Sequence, residues 1–351
     1  MGIIRASTIP NPRISRRTFV QGIGTAAAAT ALGGSFAGDA RAAGPLMWYS
    51  ASSVESVDGW AKMYKEKTGN TVEYFRTGGV KLAQRFAQEA QAGQAQCGPI
   101  DVSIPGLMSQ WARQGLLMEY DSPEAAHYPD DIRMKGFWTP IKALVCCMAY
   151  NADVIKPEEA PKHWEDLLDP KWKGKLVTAD AFSSGATLHW FGALRSAYGK
   201  EFMEKLAAQD VLVKQGSGET TDTVVSGERP VAAMILQYYV FGEIDKGANL
   251  NVVFPEEGLP ISYEVIGISK DAPDPEGSKK FVDFALSKEA QTSWQKTYYT
   301  PSMRDDVEPL SREHGRRPLS EVKRIGSSAA DLDKLFEEQA DLLDAWGELF
   351  K

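Results

Sequence analysis

Tyr238 and Tyr239 are adjacent, and a tyrosine pair offers chemistry that few other residue types supply. Two phenolate oxygens are hard ligands, which suit a trivalent cation such as Fe(III). Neutral phenols instead stack on an organic solute or form hydrogen bonds with it. A third alternative places both rings in the hydrophobic core. The pair therefore marks a candidate ligand site whose chemistry the two residues alone do not decide.

Polar and glycine residues also follow the first two predicted strands. Ser52 and Ser53 come directly after a short apolar run, and Arg76, Gly78 and Gly79 follow the next one. The planar guanidinium of arginine pairs well with a carboxylate or a phosphate, and glycine lets a ligand approach the backbone closely. The alternative for Arg76 is an ordinary surface arginine at the end of a strand.

Ser183, Ser184 and Gly185 lie between a predicted strand and a predicted helix. Two hydroxyls and the free N–H groups of a helix start are suited to an anion. Ser184 could equally cap the helix without any ligand.

A further polar, glycine-containing loop covers residues 216–221. In this loop Thr220 either donates a hydrogen bond to a ligand or joins Thr221 in capping a short helix predicted over 222–225.

The three cysteines do not have metal-ligand spacing. Cys97 lies in a loop that contains Gly-Pro, and Cys146 and Cys147 are adjacent within an apolar run. Without a CxxC or Cys/His cluster we do not expect a structural zinc site. We expect buried free thiols, and a disulfide from Cys97 to one of the pair is the alternative in an oxidising compartment.

The sequence contains no catalytic motif that we recognise. The four histidines are scattered, and no Gly-x-Ser-x-Gly, HExxH, Walker or GxGxxG arrangement occurs. We therefore predict no catalytic residues, no cofactor and no enzymatic activity. Most tryptophans are expected in the core, with Trp138 as the candidate exception. The rival class is an exported enzyme that carries a cofactor inserted before export.

The candidate loops need strands and helices that bring them together, and the chain alternates between the two from residue 46 onward. The predicted strands cover 46–50, 71–75, 100–104, 176–178, 231–236, 251–254 and 263–268, and the predicted helices cover 57–68, 81–92, 107–114, 164–168, 187–198, 200–209, 275–286, 288–297 and 331–350. This alternation is typical of an α/β fold, in which loops gather at the strand ends.

The residues before the first strand have the features of an export signal. Arg16 and Arg17 precede a soft apolar run over 22–38, and Ala40-Arg41-Ala42 fits a cleavage site. The run is shorter and less apolar than a membrane helix requires. The segment 1–43 resembles a twin-arginine signal peptide, which implies export of the folded chain.

The rest of the chain, 44–351, is long enough for two lobes. The whole chain carries a formal net charge of −8 and its leader +4, so the remainder carries −12. An acidic body of this kind does not attract nucleic acid or anionic lipid through its overall charge.

Four runs of the sequence resemble motifs of the periplasmic solute-binding proteins of ABC importers, the iron, thiamine, phosphonate and polyamine type. They are Asp-Leu-Leu-Asp-Pro-Lys-Trp-Lys-Gly-Lys at 166–175, Tyr150-Asn151, Lys-Lys-Phe-Val-Asp-Phe-Ala-Leu-Ser at 279–287, and the stretch 246–258 that ends in Phe-Pro-Glu-Glu-Gly. They occur in the family's order and extend over nearly all of 44–351. The sequence is therefore identified as a member of extracellular solute-binding family 1.

The resemblance implies an α/β fold of the two-lobed periplasmic-binding-protein type (type II). In it each lobe is a sheet flanked by helices, and two hinge crossings let the lobes close over a ligand. Lobe one would comprise 44–145 plus 259–351, and lobe two 146–258. The candidate ligand-binding residues would then line one cleft between the lobes.

The resemblance also implies a monomeric periplasmic receptor that delivers a small solute to an ABC permease and does not bind nucleic acid. Ferric-binding relatives carry adjacent tyrosines near Tyr238 and Tyr239, but they usually add a His or Arg where this chain has Ala51-Ser52-Ser53. We therefore favour an organic or phosphorylated anion as the solute and rank Fe(III) second. Thiamine- or polyamine-like cations stay open, as does service to a membrane sensor instead of a permease.

Overall fold

The structure, a computed structural model of the chain, describes residues 46–308 and 319–350. The expected export signal, with Arg16, Arg17 and Ala42, lies outside the described residues, and so does His314. The described residues belong to a single compact unit.

A helix follows each of the first three strands. The strands are β1 (Met47–Ser50), β2 (Glu73–Arg76) and β3 (Pro99–Val102), and the helices are α1 (Val54–Thr68), α2 (Gly79–Gln91) and α3 (Pro105–Arg113). Local signals set the bounds of α1. Ser53 accepts a hydrogen bond from the Ser56 N–H at its start, and Gly69 ends it in the left-handed conformation at φ 75°, which glycine adopts without steric penalty.

A long strand leads into a second group of strands and helices. The strands are β4 (Trp138–Asn151), β5 (Leu176–Ala179), β6 (Leu212–Lys214), β7 (Val231–Leu236) and β8 (Leu250–Val253), and the helices are α4 (Gly185–Tyr198), α5 (Lys200–Ala207), α6 (Ser217–Val225) and α7 (Gln237–Asp245). The short helix expected over 222–225 is therefore wrong in extent. Thr220 and Thr221 lie inside α6, where each hydroxyl donates to a carbonyl one turn earlier, and neither caps it.

The chain then returns to the first group and ends in two short helices. The elements are β9 (Leu259–Ile268), α8 (Pro275–Leu286), α9 (Lys288–Tyr298), β10 (Arg324–Ile325), α10 (Ala329–Glu337) and α11 (Gln339–Leu349). The single helix predicted over 331–350 is thus wrong. The helix is interrupted at Glu338 because the two segments have different packing partners. The helix α10 lies mainly against α3, and α11 lies against α4 and α5.

The strands form a mixed sheet in the order β2-β1-β3-β9-β4-β7-β5-β6, with β10 paired to β9 and β8 to β4. Two sets of parallel strands, β1 to β3 and β5 to β7, lie on either side of the antiparallel pair β4 and β9. The first half of β4 pairs with β9, and its second half pairs with β7 and β8. The predicted crossings at 145–150 and 260–266 fall in these two long strands.

The register makes the carboxyl ends of the two parallel sets face each other. Val102 at the end of β3 pairs with Val265, which in turn pairs with Pro140, whereas Leu236 at the end of β7 pairs with Cys146. The two ends are therefore about six residues apart along β4, or roughly 20 Å at the rise of a strand. The middle of β4 and β9 forms the floor of the space between them.

Buried apolar side chains from both strand sets form one continuous core. Trp138, the candidate exception among the tryptophans, belongs to this core, and its indole N–H donates to Ser109 Oγ at 3.0 Å. All three cysteines are buried free thiols. Among the described residues no helix is long and apolar enough to cross a membrane.

Candidate functional site

Helices start at the carboxyl ends of all six parallel strands, which is where ligands bind in open α/β sheets. The helices α1, α2 and α3 follow the first set of strands, and α4, α6 and α7 follow the second. The first turns of α2, α3, α4 and α7 contain no acidic residue. Their positive ends are therefore not neutralised by their own side chains, an arrangement suited to an anionic ligand.

At the start of α4 the hydroxyls of Ser183 and Ser184 form hydrogen bonds, whereas two backbone N–H groups are free. Ser184 Oγ accepts a hydrogen bond from the Thr187 N–H at 3.2 Å, so Ser184 caps the helix. Ser183 Oγ donates at 2.5 Å to a backbone carbonyl of the loop before α6. The N–H groups of Gly185 and Ala186 have no acceptor among the described residues. An anion at this position would therefore bind through the backbone amides.

Arg76 stands at the end of β2 with most of its guanidinium free. Its Nε donates to the Ser52 carbonyl at 2.7 Å, which fixes the side chain across the end of β1. Arg76 is exposed, and it forms no ion pair with any described residue. The terminal nitrogens can therefore pair with an anion at the strand ends.

Open space surrounds the glycines that follow Arg76. Nothing lies within 4 Å of a Cβ built on Gly78, and a Cβ on Gly79 would meet only the Ala51 Cβ at 3.9 Å. Packing does not require glycine at either position, so this surface leaves room for a ligand. Ser53, by contrast, is the N-cap of α1 and directs its hydroxyl to Ser56.

A buried polar network that sequence reasoning missed lies on the floor of the interstrand space. Lys142 on β4 and Glu264 on β9 are directly opposite in register, with 3.8 Å between Nζ and Oε2 and both side chains at most 10% exposed. The Ser52 hydroxyl donates to the same carboxylate. Three separate chain segments therefore meet at Glu264.

Asp101 on β3 extends this network. Its carboxylate oxygens accept hydrogen bonds from Trp48 Nε1 at 2.6 Å and from Ser50 Oγ at 3.1 Å. Complete burial, followed by the nearby Glu264 carboxylate, raises the pKa of Asp101 well above its usual range. The raised pKa favours the neutral form of Asp101, which leaves Glu264 and Lys142 as a balanced pair, so the floor contributes little net charge.

Tyr238 and Tyr239 occupy the first turn of α7, at the end of β7. Their rings stack at 4.6 Å between centroids, with Tyr238 half-buried and Tyr239 37% exposed. The Lys142 ammonium lies 4.9 Å from the centroid of the Tyr238 ring. Burial and then Tyr239 raise the pKa of Tyr238 well above its usual range. Neither ring lies wholly in the core, and the Tyr238 phenol is neutral at physiological pH.

The structure brings Ser52, Arg76 and Tyr238 toward the same floor but separates Thr220 from any open surface. Thr220 is fully buried, and its hydroxyl donates to the Gly216 carbonyl at 3.0 Å. Its predicted contact with ligand stays a prediction.

A cavity of about 70 Å³ lies beside the start of α4. Gly185 borders it together with Ser103 at the start of the β3–α3 loop and Ser262 on the floor strand β9. Residues of the helices α10 and α11 also line it. His189, on the next turn of α4, also lines the cavity and is 6% exposed.

The two other histidines in the described part of the chain, His127 and His163, do not join this region. His127 contacts Asp305 at 3.0 Å and Asp306 at 3.7 Å near the surface, where Arg304 already pairs with Asp306. His163 contacts Glu257 at 2.6 Å, and this hydrogen bond raises the pKa of the exposed imidazole.

Known proteins share both the sequence pattern and the fold. Residues 100–319 match the profile of the bacterial extracellular solute-binding proteins. A relative from Salmonella typhimurium, the "Putative 2-aminoethylphosphonate-binding periplasmic protein", is 28% identical over 331 residues, covering 88% of this chain and 94% of its own. The iron uptake protein A1 of Synechocystis is 26% identical over 249 residues, covering 63% of this chain and 62% of its own.

Solved structures of periplasmic binding proteins have the same fold. Iron-bound HitA from Pseudomonas aeruginosa superposes with a TM-score of 0.76 at 22% identity, covering 86% of this chain and 99% of its own. AfuA from Actinobacillus pleuropneumoniae, with fructose-6-phosphate bound, superposes with a TM-score of 0.72 at 23% identity, covering 87% and 98%. The expected two-lobed type II binding-protein fold is thereby confirmed.

Proposed function

Because the chain belongs to the family of bacterial extracellular solute-binding proteins, we propose that it is the substrate-binding component of an ABC importer. It captures a small phosphonate or phosphorylated organic anion in the space between the two strand sets. The observation that carries the proposal is the set of opposed helix starts that contain no acid, with the free amides of Gly185 and Ala186 among them.

The charges of the floor residues and of Arg76 favour an anion over a cation. Lys142 balances Glu264, the raised pKa of Asp101 favours its neutral form, and the exposed Arg76 has no acidic partner among the described residues. The unbalanced charge among these residues is therefore the positive charge of Arg76, although the whole chain is acidic. The similarity to the Salmonella relative, whose name refers to 2-aminoethylphosphonate, supports a phosphonate head group.

The receptor works by closure of lobe one (44–145 plus 259–351) against lobe two (146–258). Bending within β4 and β9, the two strands that lie between the strand sets, would move the helix starts onto the solute. Ligand then shifts the equilibrium toward the closed state by binding it more tightly than the open one. We further propose that the chain acts as a monomer in the periplasm, reaches it by the twin-arginine route, and delivers solute to a permease.

Ferric iron is the second candidate because Tyr238 and Tyr239 are adjacent and stacked at the end of β7. Both phenols would have to ionise to bind the metal. The Lys142 ammonium beside the Tyr238 ring would repel a trivalent cation. Because of this repulsion we rank iron below a phosphorylated anion as the solute.

Thermal unfolding of the purified protein tests the proposal, with methylphosphonate, inorganic phosphate, fructose 6-phosphate and ferric citrate as probes. A true ligand at 100 times its Kd adds about 2.7 kcal/mol to the free energy of unfolding. Arg76→Gln should weaken phosphonate binding about 10-fold or more through the lost charge-assisted hydrogen bonds. Arg229→Gln, whose arginine already pairs with Asp210, is the matched control and should change binding little.

A visible charge-transfer band with ferric ion that disappears in Tyr238→Phe or Tyr239→Phe would reverse the ranking. If none of the four probes stabilises the protein, the phosphorylated-anion proposal is wrong.

A further inference from the structure

His189 is a buried imidazole with no internal partner. Neither ring nitrogen has a hydrogen-bond partner among the described residues, although the side chain is 94% buried. Leaving buried polar atoms unsatisfied costs about 1–3 kcal/mol for each group. A polar occupant of the cavity would satisfy an imidazole placed in this way on its wall.

The cavity that His189 lines is uncharged and mainly apolar. Leu188, Leu332 and Phe336 form apolar walls, and Ser103, Ser262 and Gln339 add uncharged polar groups. None of its lining residues among those described is an acid, a lysine or an arginine. Burial lowers the pKa of His189 to about 4, so the imidazole is neutral at physiological pH.

The size and position of the cavity fit one end of a small solute. About 70 Å³ accommodates roughly two to five heavy atoms at about 15–30 Å³ for each water-sized group. Gly185, whose free amide belongs to the proposed anion site, borders the cavity, so a solute bound at the start of α4 can extend into it.

We propose that this cavity receives the uncharged, hydroxyl-bearing tail of the solute, and that His189 recognises the hydroxyl. The inference rests on the proposed function, because the phosphonate or phosphoryl head is taken to lie at the start of α4. The solute class is then a short hydroxyalkyl phosphonate or phosphate ester.

The chemistry of the imidazole explains the preference for a hydroxyl. A neutral imidazole has one donor and one acceptor nitrogen, and a hydroxyl can satisfy either one. An ammonium can only donate, and it would bring a charge into a cavity whose lining residues carry no counter-charge, which is costly. This chain should therefore discriminate against aminoalkyl phosphonates, in contrast to the ligand named for its Salmonella relative.

Isothermal titration of 2-hydroxyethylphosphonate and 2-aminoethylphosphonate tests the inference, because these probes share a head group and differ only in the terminal group. The hydroxyl compound should bind at least about 10-fold more tightly. His189→Leu should weaken the hydroxyl compound about 3- to 10-fold and leave methylphosphonate, which is too short to reach the imidazole, within about 2-fold. His189→Gln, which keeps a donor and an acceptor, should retain the preference.

Leu188→Phe gives a second readout because it narrows the cavity without touching the imidazole. It should weaken 2-hydroxyethylphosphonate more than methylphosphonate. The inference is wrong if the amino compound binds as tightly as the hydroxyl compound. It is equally wrong if His189→Leu weakens methylphosphonate to the same extent. Failure of methylphosphonate itself to bind would instead refute the proposed function from which the inference starts.

Discussion

Acidification should destabilise this protein through His189, and a single substitution can isolate the effect. Burial lowers the pKa of His189 to about 4 from an ordinary value of 6.5, with Asp331 acting weakly in the opposite direction. The unfolded chain therefore takes up this proton before the folded chain does. Above about pH 6.5 the residue has no effect on the pH dependence, and the free energy of unfolding falls as the pH drops from about 6.5 to about 4.

The size of the loss follows from the gap between the two pKa values. Each pKa unit is worth about 1.36 kcal/mol, so the gap corresponds to about 3 kcal/mol when fully expressed. At pH 5, where the unfolded histidine is charged and the folded one is mostly neutral, the loss is about 2 kcal/mol. This is a sizeable part of the 5–15 kcal/mol that stabilises a typical folded protein.

Other groups titrate in the same range, so the test must be a difference between variants. Asp101 acts in the opposite direction. Its pKa is raised in the folded state, so the folded chain binds that proton first and gains stability as the pH falls through the folded value. Urea unfolding of the wild type and His189→Gln at pH 7 and pH 5 cancels Asp101 and all other shared contributions.

We expect the wild type to lose about 2 kcal/mol more than His189→Gln between pH 7 and pH 5. Asp101→Asn should lose more stability than the wild type between pH 7 and pH 5, because it lacks the stability that the wild type gains when Asp101 is protonated. If the wild type and His189→Gln lose the same stability, His189 is not held neutral by burial. The account of an unpartnered imidazole in an uncharged cavity would then be refuted.

Two further predictions concern the C-terminal helices. Gly106→Ala should destabilise the protein by about 1–3 kcal/mol in urea unfolding, because the added Cβ would collide with the Cβ of Phe336 on α10. Gly242→Ala, where nothing lies within 4 Å, should instead stabilise by about 0.5–1 kcal/mol through helix propensity, and equal effects of the two changes would contradict the packing argument. Trp346→Phe should cost about 1–3 kcal/mol, since the buried indole N–H donates to the Asp180 carboxylate at 3.0 Å, and an unchanged urea midpoint would show that this hydrogen bond contributes little.

Sequence reasoning succeeded where a local signal sets an element's bounds. The helix α8 begins and ends at the predicted residues, 275 and 286, because Asp274 caps it and Pro275 occupies the first helical position. The strand β7 also has its predicted bounds, and α1 ends at the predicted residue, 68. Ser184 caps α4, which was the alternative that required no ligand.

The errors arise where tertiary contacts decide. The residues around Glu338 include no glycine or proline, so no local signal predicts a break between α10 and α11. The helix α7 follows β7 without a turn residue, which hid the fact that Tyr238 stands at a helix start. Lys142 and Glu264 are far apart in sequence, and only the register of β4 and β9 brings them together. Pairing of distant strands is not encoded in any short stretch of sequence.

The buried network explains why these missed residues matter for recognition. A charge buried without a partner is strongly destabilising, so Lys142 and Glu264 require each other, and a neutral Asp101 avoids a second buried negative charge. Because this floor is balanced, it neither attracts nor repels the solute strongly. Arg76 and the helix starts then provide the affinity for the anionic head. The uncharged cavity beside His189 discriminates among tails. A site divided in this way can keep one head-group chemistry while its tail preference changes through a few cavity residues.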